Sequence, residues 1–514
     1  MTEGVGHVFN LGRAFRAVAR LHGDRAALRY GSDRTVSYQA LAESAERIAA
    51  GLATRGIGRG HIVAIQNGKS FDGYAALLGV LLAGAAYTHL DPTNPAGRLA
   101  RILRICRPKL LLADGAIAPG PKEAAASLGL PVVQVADLVA DAANASAPVQ
   151  EPIGSDPAYI MFTSGSTGQP KGVAIAHASV LAFVGWCNAT FEVGPGAVVA
   201  NANPIFFDNS VFDVYAALFT GATLAPLTSS EIADAATLTR RVEEMGCTLW
   251  FSVPSLLIFL MTMKAMRGDA FGSVRTIVFG GEGFPRSELA KLHAFCGHRC
   301  RLVNVYGPTE GTCICSAYDI TAADLVDRSG LPPLGRIADN FSWAILDGDA
   351  PVAPGEVGEL CLGGPQLALG YYNDSDRTAA SFVADPLATM LPGRIYRTGD
   401  LVREEAGLLH FVGRRDNQIK HMGYRIELEE IEAALAGLGG VVQAAVVYQR
   451  RRVQLGHIVA FVTGPGARNP ALLRDRLAGI LPAYMLPSRI VAMDTLPKNA
   501  NGKVDRVALA ALEG

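Results

Sequence analysis

Four hydroxyl side chains, two glycines and a lysine crowd into Thr163-Ser164-Gly165-Ser166-Thr167-Gly168-Gln169-Pro170-Lys171, with Gly172 directly after. The β-prone run 159–162 leads in and 173–175 leads out. Small residues let backbone N–H groups approach a polyphosphate, the hydroxyls add donors and the lysine adds charge. The other reading is a Gly/Ser turn with no ligand. A P-loop is excluded by pattern: Lys171 is followed by Gly172 rather than Ser or Thr, and no glycine immediately precedes it. Cys296, His298 and Cys300 lie close together, as do Cys313 and Cys315, but neither group has zinc-ligand spacing with a matching second pair. Buried reduced thiols are expected.

These groups must be positioned by a large scaffold. At 514 residues the chain is long enough for two or three domains. A net charge of -1 offers no electrostatic reason to expect nucleic acid or an anionic membrane as partner. The start, Met1-Thr2-Glu3-Gly4, leads into no apolar run, so no signal peptide is expected. The most apolar stretch, 248–263, is broken by Ser252, Pro254 and Ser255 and is shorter than the roughly 20 residues of a spanning helix. A buried strand and helix are expected there, and a cytoplasmic location.

Strand and helix patterns alternate. Helical spacing covers 38–52 and 72–84, and β-prone runs occur at 132–135, 276–279 and 302–305. That alternation predicts an α/β sheet architecture. Residues 144–157 read as a surface linker. Near Gly413 the pattern changes: before it a strand at 408–412, and after it a helix at 427–438, strands at 441–448 and 457–462, a helix at 471–480, then a Pro-rich tail. The predicted division is 1–413, a hinge at 414–416, and a small α+β domain over 417–514.

The loop 162–172 is not alone. With it come Phe207-Asp208-Asn209-Ser210, Asn304-Val305-Tyr306-Gly307-Pro308-Thr309-Glu310, Gly358-Glu359-Leu360, Tyr396-Arg397-Thr398-Gly399-Asp400, Gly413-Arg414-Arg415-Asp416-Asn417-Gln418-Ile419-Lys420 and Asn501-Gly502-Lys503-Val504-Asp505-Arg506. In this order they resemble, over nearly the whole chain, the adenylate-forming superfamily. That superfamily includes adenylation domains of nonribosomal peptide synthetases, D-alanine:carrier-protein ligases, acyl-CoA synthetases and luciferases. The resemblance implies a large N-terminal domain of layered sheets and helices and a small mobile C-terminal domain. It implies ATP and Mg²⁺, release of pyrophosphate, and transfer of the activated acid to a thiol.

Residue roles follow from the same resemblance. The loop Thr163, Ser164, Gly165, Ser166, Thr167, Gly168 and Lys171 would face phosphate. Tyr306 and Asn304 would meet adenine, beside Gly307; Asp400 would accept from the ribose hydroxyls. Arg414 would lie against ribose or phosphate, and Thr309 near the α-phosphate. Glu310 would be the Mg²⁺ ligand. Lys503 would be the catalytic lysine, placing a cation where negative charge gathers in the transition state. On its own it reads as an exposed lysine near the terminus; its setting, Pro497-Lys498-Asn499-Ala500-Asn501-Gly502-Lys503, reverses that. Asp416 matches the hinge, and Gly423 would leave room for a pantetheine arm.

Asp208 separates amino-acid users from fatty- or aryl-acid users, because a buried ammonium needs a carboxylate partner. By resemblance, the rest of the pocket wall is Asn209, Phe212, Phe251, Val278, Gly280, Val305, Cys313 and Ile314, all neutral. Charged amino-acid side chains would find no partner there. Two phenylalanines narrow the pocket and Gly280 opens it locally, which implies a small or aliphatic amino acid, from alanine to valine, proline or isoleucine. A β-amino acid is also compatible with a single aspartate. D-alanine ligases share the layout but carry cysteine at the place of Gly280. The chain reaches Gly514 with no Gly-Gly-x-Ser carrier segment, so the expected partner is a separate carrier protein with a phosphopantetheine arm, within natural-product biosynthesis. The alternatives are a D-alanine:carrier-protein ligase, a coenzyme A ligase, and a homologue that only binds nucleotide.

Overall fold

The computed structural model describes residues 8–141, 151–165, 167–451, 454–499 and 503–512. Met1 to Gly4, part of the expected linker, Ser166, and Ala500 to Gly502 lie outside the described residues.

Two large sheets form from the strand–helix alternation. One has seven strands and includes Ile62–Gln66, Ala86–His89, Leu111–Ala113 and the antiparallel pair Pro157–Thr163 and Lys171–Ala176. The other has nine, with Arg301–Tyr306, Thr276–Gly280, Leu249–Ser252, Val198–Asn201 and Thr223–Pro226 adjacent and parallel at its centre. Their central strands are buried along their length and therefore read as continuous apolar runs. The helices expected at 38–52 and 72–84 are Tyr38–Thr54 and Phe71–Leu82. The second is capped by Ser70, which accepts from Gly73 N, and its residues from Gly73 to Leu82 are all buried. Together with Leu11–Leu21, His177–Phe191 and Asn209–Leu218, these helices share one core with residues of both sheets. The apolar stretch 248–263 becomes the strand Leu249–Ser252 and the helix Pro254–Thr262, with proline at a helix start where no N–H is needed.

Residues 342–414 add an antiparallel sheet of six strands, of which the sequence indicated only the last. Its longest strand, Arg394–Glu405, alternates buried and partly buried positions and lacks the apolar run that marks a doubly covered strand. The last strand, Leu408–Arg414, pairs through Arg414 with Asp400. The regular pairing thus reaches one residue into the expected hinge, and 415–417 carry neither strand nor helix.

Beyond lie the hairpin Gln418–His421 and Tyr424–Glu427, the helix Leu428–Ala436, and a three-stranded sheet of Gln443–Arg451, Gln454–Thr463 and Arg489–Ala492. This part has its own core, built from Ile431, Leu435, Val446, Ile458, Leu473 and Leu477. Its hairpin does not pack only at home: it reaches back onto the large sheets.

Candidate active site

The hydroxyl-rich loop joins Pro157–Thr163 to Lys171–Ala176, whose register puts Thr163 opposite Lys171. Gly168 N donates to Gly165 O at 2.9 Å and closes the turn. Thr167 Oγ1 accepts from Arg377 at 2.9 Å. Thr163 Oγ1 is buried with no partner among the described residues. Ser164 Oγ donates to Arg425 O (2.7 Å) and accepts from Glu427 N (3.2 Å), so the hairpin backbone sits on the loop. Burial pushes the Lys171 ammonium down to about 8, with Arg425 adding to the push and Glu310 and Glu427 opposing it.

The strand Arg301–Tyr306 carries the next group. Tyr306 donates to Asp400 Oδ2 at 2.5 Å. Arg414 Nη1 reaches Asp400 Oδ1 at 2.6 Å while its other nitrogens fork onto both oxygens of Asp416 at 2.7 Å. Asn304 Nδ2 instead donates to Pro333 O at 2.7 Å, and Asn304 does not line the cavity.

That cavity, about 610 Å³ counting its open mouth, is lined by Asp208, Tyr306, Gly307, Thr309, Asp400 and Arg414 among others. Thr309 Oγ1 donates to Asp208 Oδ2 at 2.5 Å. Burial pushes the Asp208 carboxyl up, against that hydrogen bond and the nearby Lys420 and Arg425. Asn209, Phe251, Val305, Cys313 and Ile314 complete the neutral wall. Three expected wall residues lie one layer back. Phe212 is fully buried, its ring edge-on to Phe251 at 5.0 Å; Val278 is fully buried as well. Gly280 does not open the pocket: a Cβ there would stand 2.4 Å from Val305 O, so strand contact is what demands glycine. The glycine on the wall is its neighbour, Gly281.

Two residues whose segments share the layout of the D-alanine ligases, but to which the sequence assigned no site role, enter from the small domain. Lys420 and Arg425 are cross-strand partners in the hairpin, so both project from one face into the cavity. Like charges placed directly opposite repel, and here they are met by acids. Lys420 Nζ stands 5.6 Å over the Tyr306 ring. Arg425 Nη1 donates to Glu310 Oε2 at 2.7 Å. The other Glu310 oxygen accepts from Tyr371 at 2.8 Å and faces Lys171 Nζ at 3.5 Å. Burial would raise Glu310, but Arg425 and Lys171 hold its carboxyl far below the usual range. The signal was present in the sequence as two basic residues set symmetrically about a Met-Gly turn in β-prone flanks.

Three further contacts fix the docking. Gly423, at φ +80, donates its N–H to Glu282 Oε2 at 3.0 Å; Glu282 Oε1 also accepts from Ser255 N at 2.7 Å. A side chain at 423 would meet Val253 at 2.6 Å. Tyr424 stacks on Tyr484 at 3.8 Å, with Phe207 edge-on. Arg98 and Glu430, 4% and 1% exposed, form an ion pair across the two units. Lys503 is exposed and does not line the cavity; its backbone N–H donates to Asn499 Oδ1 at 3.1 Å.

All eight cysteines are buried and free. Among the described residues no cluster of three or more His, Cys, Asp or Glu side chains could hold a metal ion, and no helix is long and apolar enough to cross a membrane.

One cavity thus gathers the carboxylates Asp208 and Asp400, the Tyr306 ring and the cations Arg414, Lys420 and Arg425. The family of AMP-binding enzymes matches residues 15–372, and the C-terminal domain of AMP-binding enzymes matches 430–503. The chain belongs to this family and is a ligase of the nonribosomal-peptide-synthetase adenylation type. It is 35% identical to an L-proline--[L-prolyl-carrier protein] ligase of Pseudomonas fluorescens, over 92% of this chain and 94% of that one. It is 37% identical to a dimodular nonribosomal peptide synthase of Bacillus subtilis, over 97% of this chain but only 20% of the relative's length. The AMB antimetabolite synthetase AmbB of Pseudomonas aeruginosa is 36% identical and is spanned over 38% of its length. Among solved structures, holo-PA1221, a nonribosomal peptide synthetase protein with adenylation and carrier (PCP) domains bound to a vinylsulfonamide inhibitor, superimposes with a TM-score of 0.84 at 30% identity, covering 97% of this chain and 84% of that one. IdnL1 superimposes with a TM-score of 0.81 at 29% identity, covering 96% and 100%.

Proposed function

We propose that the protein converts a small or aliphatic amino acid and ATP to aminoacyl-AMP and pyrophosphate, then passes the aminoacyl group to the phosphopantetheine thiol of a carrier protein. The observation that carries this reading is Asp208, a carboxylate set in an otherwise neutral wall beside the cavity of Tyr306 and Asp400.

The residues present fit an adenylate. Asp400 keeps a free lone pair on each oxygen beside Tyr306 and Arg414, which suits ribose hydroxyls. Thr163, with its unpartnered buried hydroxyl, suits a phosphate oxygen. ATP, when bound, supplies the electrophilic α-phosphorus and pyrophosphate as leaving group. Asp208 holds the substrate ammonium and so orients the carboxylate; Lys503 stabilises charge in this first step. In the second step a thiol sulfur attacks the acyl carbon. The C–S bond forms, the C–O bond to AMP breaks, and the thiol proton leaves to solvent. Lys420 and Arg414, which line the cavity, would offset the charge on the departing phosphate. Mg²⁺ does not fit at Glu310 as arranged here, because Arg425, Lys171 and Tyr371 already take both oxygens.

The experiment is ATP–pyrophosphate exchange over glycine, L- and D-alanine, valine, isoleucine, proline, several β-amino acids and fatty acids. Exchange with a small aliphatic amino acid is expected, and proline has extra support from the proline ligase relative. Exchange only with acids lacking an amine would move the enzyme to the coenzyme A ligases.

The docked hairpin belongs to the second step in this reading. Glu430→Gln would leave Arg98 buried and unpaired in the docked arrangement alone, a cost of about 3–5 kcal/mol. Single-turnover transfer from preformed aminoacyl-AMP should slow by roughly a hundred- to a thousandfold or more, while pyrophosphate exchange changes far less.

A further inference from the structure

Glu310 is fully buried, and cations surround it: Arg425 at 2.7 Å on one oxygen, Lys171 at 3.5 Å on the other, beside the Tyr371 hydroxyl. Lys171 also faces Glu427 at 3.9 Å, so the two acids and two bases balance. A divalent ion prefers several oxygen ligands, water among them. Here it would meet a guanidinium and an ammonium in a site sealed by protein. The same hairpin also uses the loop hydroxyl, since Ser164 bonds Arg425 O and Glu427 N. Behind it, Ala433 of the helix Leu428–Ala436 packs so closely that a Cβ at Gly168 would lie 3.0 Å from it. One small-domain element therefore covers both the loop and the acid. Arg425 comes from the small domain and Glu310 from the large one, so only docking brings them together.

We propose that Arg425 is an internal counter-cation that takes the divalent-metal place at Glu310, so that docking of the hairpin and metal binding at Glu310 exclude one another. This rests on the reading of Glu310 as the metal ligand of the first step. On that reading Glu310 would be open to a divalent ion only with the hairpin undocked, and is held by Arg425 when it is docked. Buried Glu310 is not left uncompensated in the docked state, and the thiol step needs no metal. Arg425 acts through Glu310 and is a positioning residue.

Two measurements test this. The first is Mn²⁺ titration followed by electron paramagnetic resonance on the full chain without nucleotide, which needs no amino-acid substrate. Arg425→Gln should bind Mn²⁺ at least tenfold more tightly than the parent, and adding Glu310→Gln should remove the gain. Equal Mn²⁺ affinity in parent and Arg425→Gln overturns the proposal. The second is single-turnover transfer from isolated enzyme-bound aminoacyl-AMP to pantetheine. In EDTA the parent should transfer at full rate, and millimolar Mg²⁺ should slow it. Arg425→Gln should lose at least tenfold in EDTA, with Arg425→Lys restoring most of it. A parent whose transfer stops in EDTA overturns the proposal without reference to any variant. Failure of the amino-acid panel would instead undo the substrate reading and leave the Mn²⁺ result standing.

Discussion

Asp208→Asn is expected to lower kcat/KM for amino-acid-dependent pyrophosphate exchange by roughly a hundred- to a thousandfold. The side chain keeps its shape and can still meet Thr309, which lies 2.5 Å away. What it loses is the charge opposite the substrate ammonium. The remaining wall, Asn209, Phe251, Val305, Cys313 and Ile314, supplies no other anion. An unpaired ion held out of water costs about 3–5 kcal/mol, which sets the size of the loss. The defect should be specific to amines: the des-amino analogue of the best substrate should be accepted as well by Asp208→Asn as by the parent, or better. A mutant that still exchanges with the amino acid at near-parental kcat/KM would remove Asp208 from the ammonium site.

The second large effect concerns Lys503. Lys503→Ala should cut exchange by roughly a hundred- to a thousandfold, the range for removing one preorganised donor to developing negative charge. Transfer from preformed aminoacyl-AMP should be spared, because in the docked arrangement Lys503 is exposed and lies off the cavity, where Lys420 and Arg425 stand instead. Quench-flow on the two steps separately checks this. Equal losses in both would mean that Lys503 supports the fold of the small domain and not the chemistry of one step.

Much of the site was legible before any coordinate. Asp208, Thr309, Tyr306, Asp400 and Arg414, drawn from separate motifs, all line one cavity, whereas the described residues of the loop 163–171 are not among its lining. Asn304 was expected at adenine's edge, yet its amide is spent on Pro333 O. Gly280 shows a different limit. A glycine in a pocket motif reads as empty space, but which neighbour a Cβ would strike depends on the next strand, here Val305. The antiparallel sheet over 342–414 was mostly missed because half-exposed strands lack the apolar continuity that betrays parallel ones.

What the chain determined by itself is local: the Gly/hydroxyl loop, the buried parallel strands, and a C-terminal α+β part that gathers its own core. These depend on spacing and polarity within a few tens of residues. Which acids meet which cations was decided only in three dimensions. Arg425 and Glu310 are 115 residues apart, and Arg98 and Glu430 are 332 apart. No periodicity links such positions. They are joined by the way one domain lies on another, and because charges out of water must be neutralised by whatever docking brings near, that arrangement decides which cation Glu310 holds.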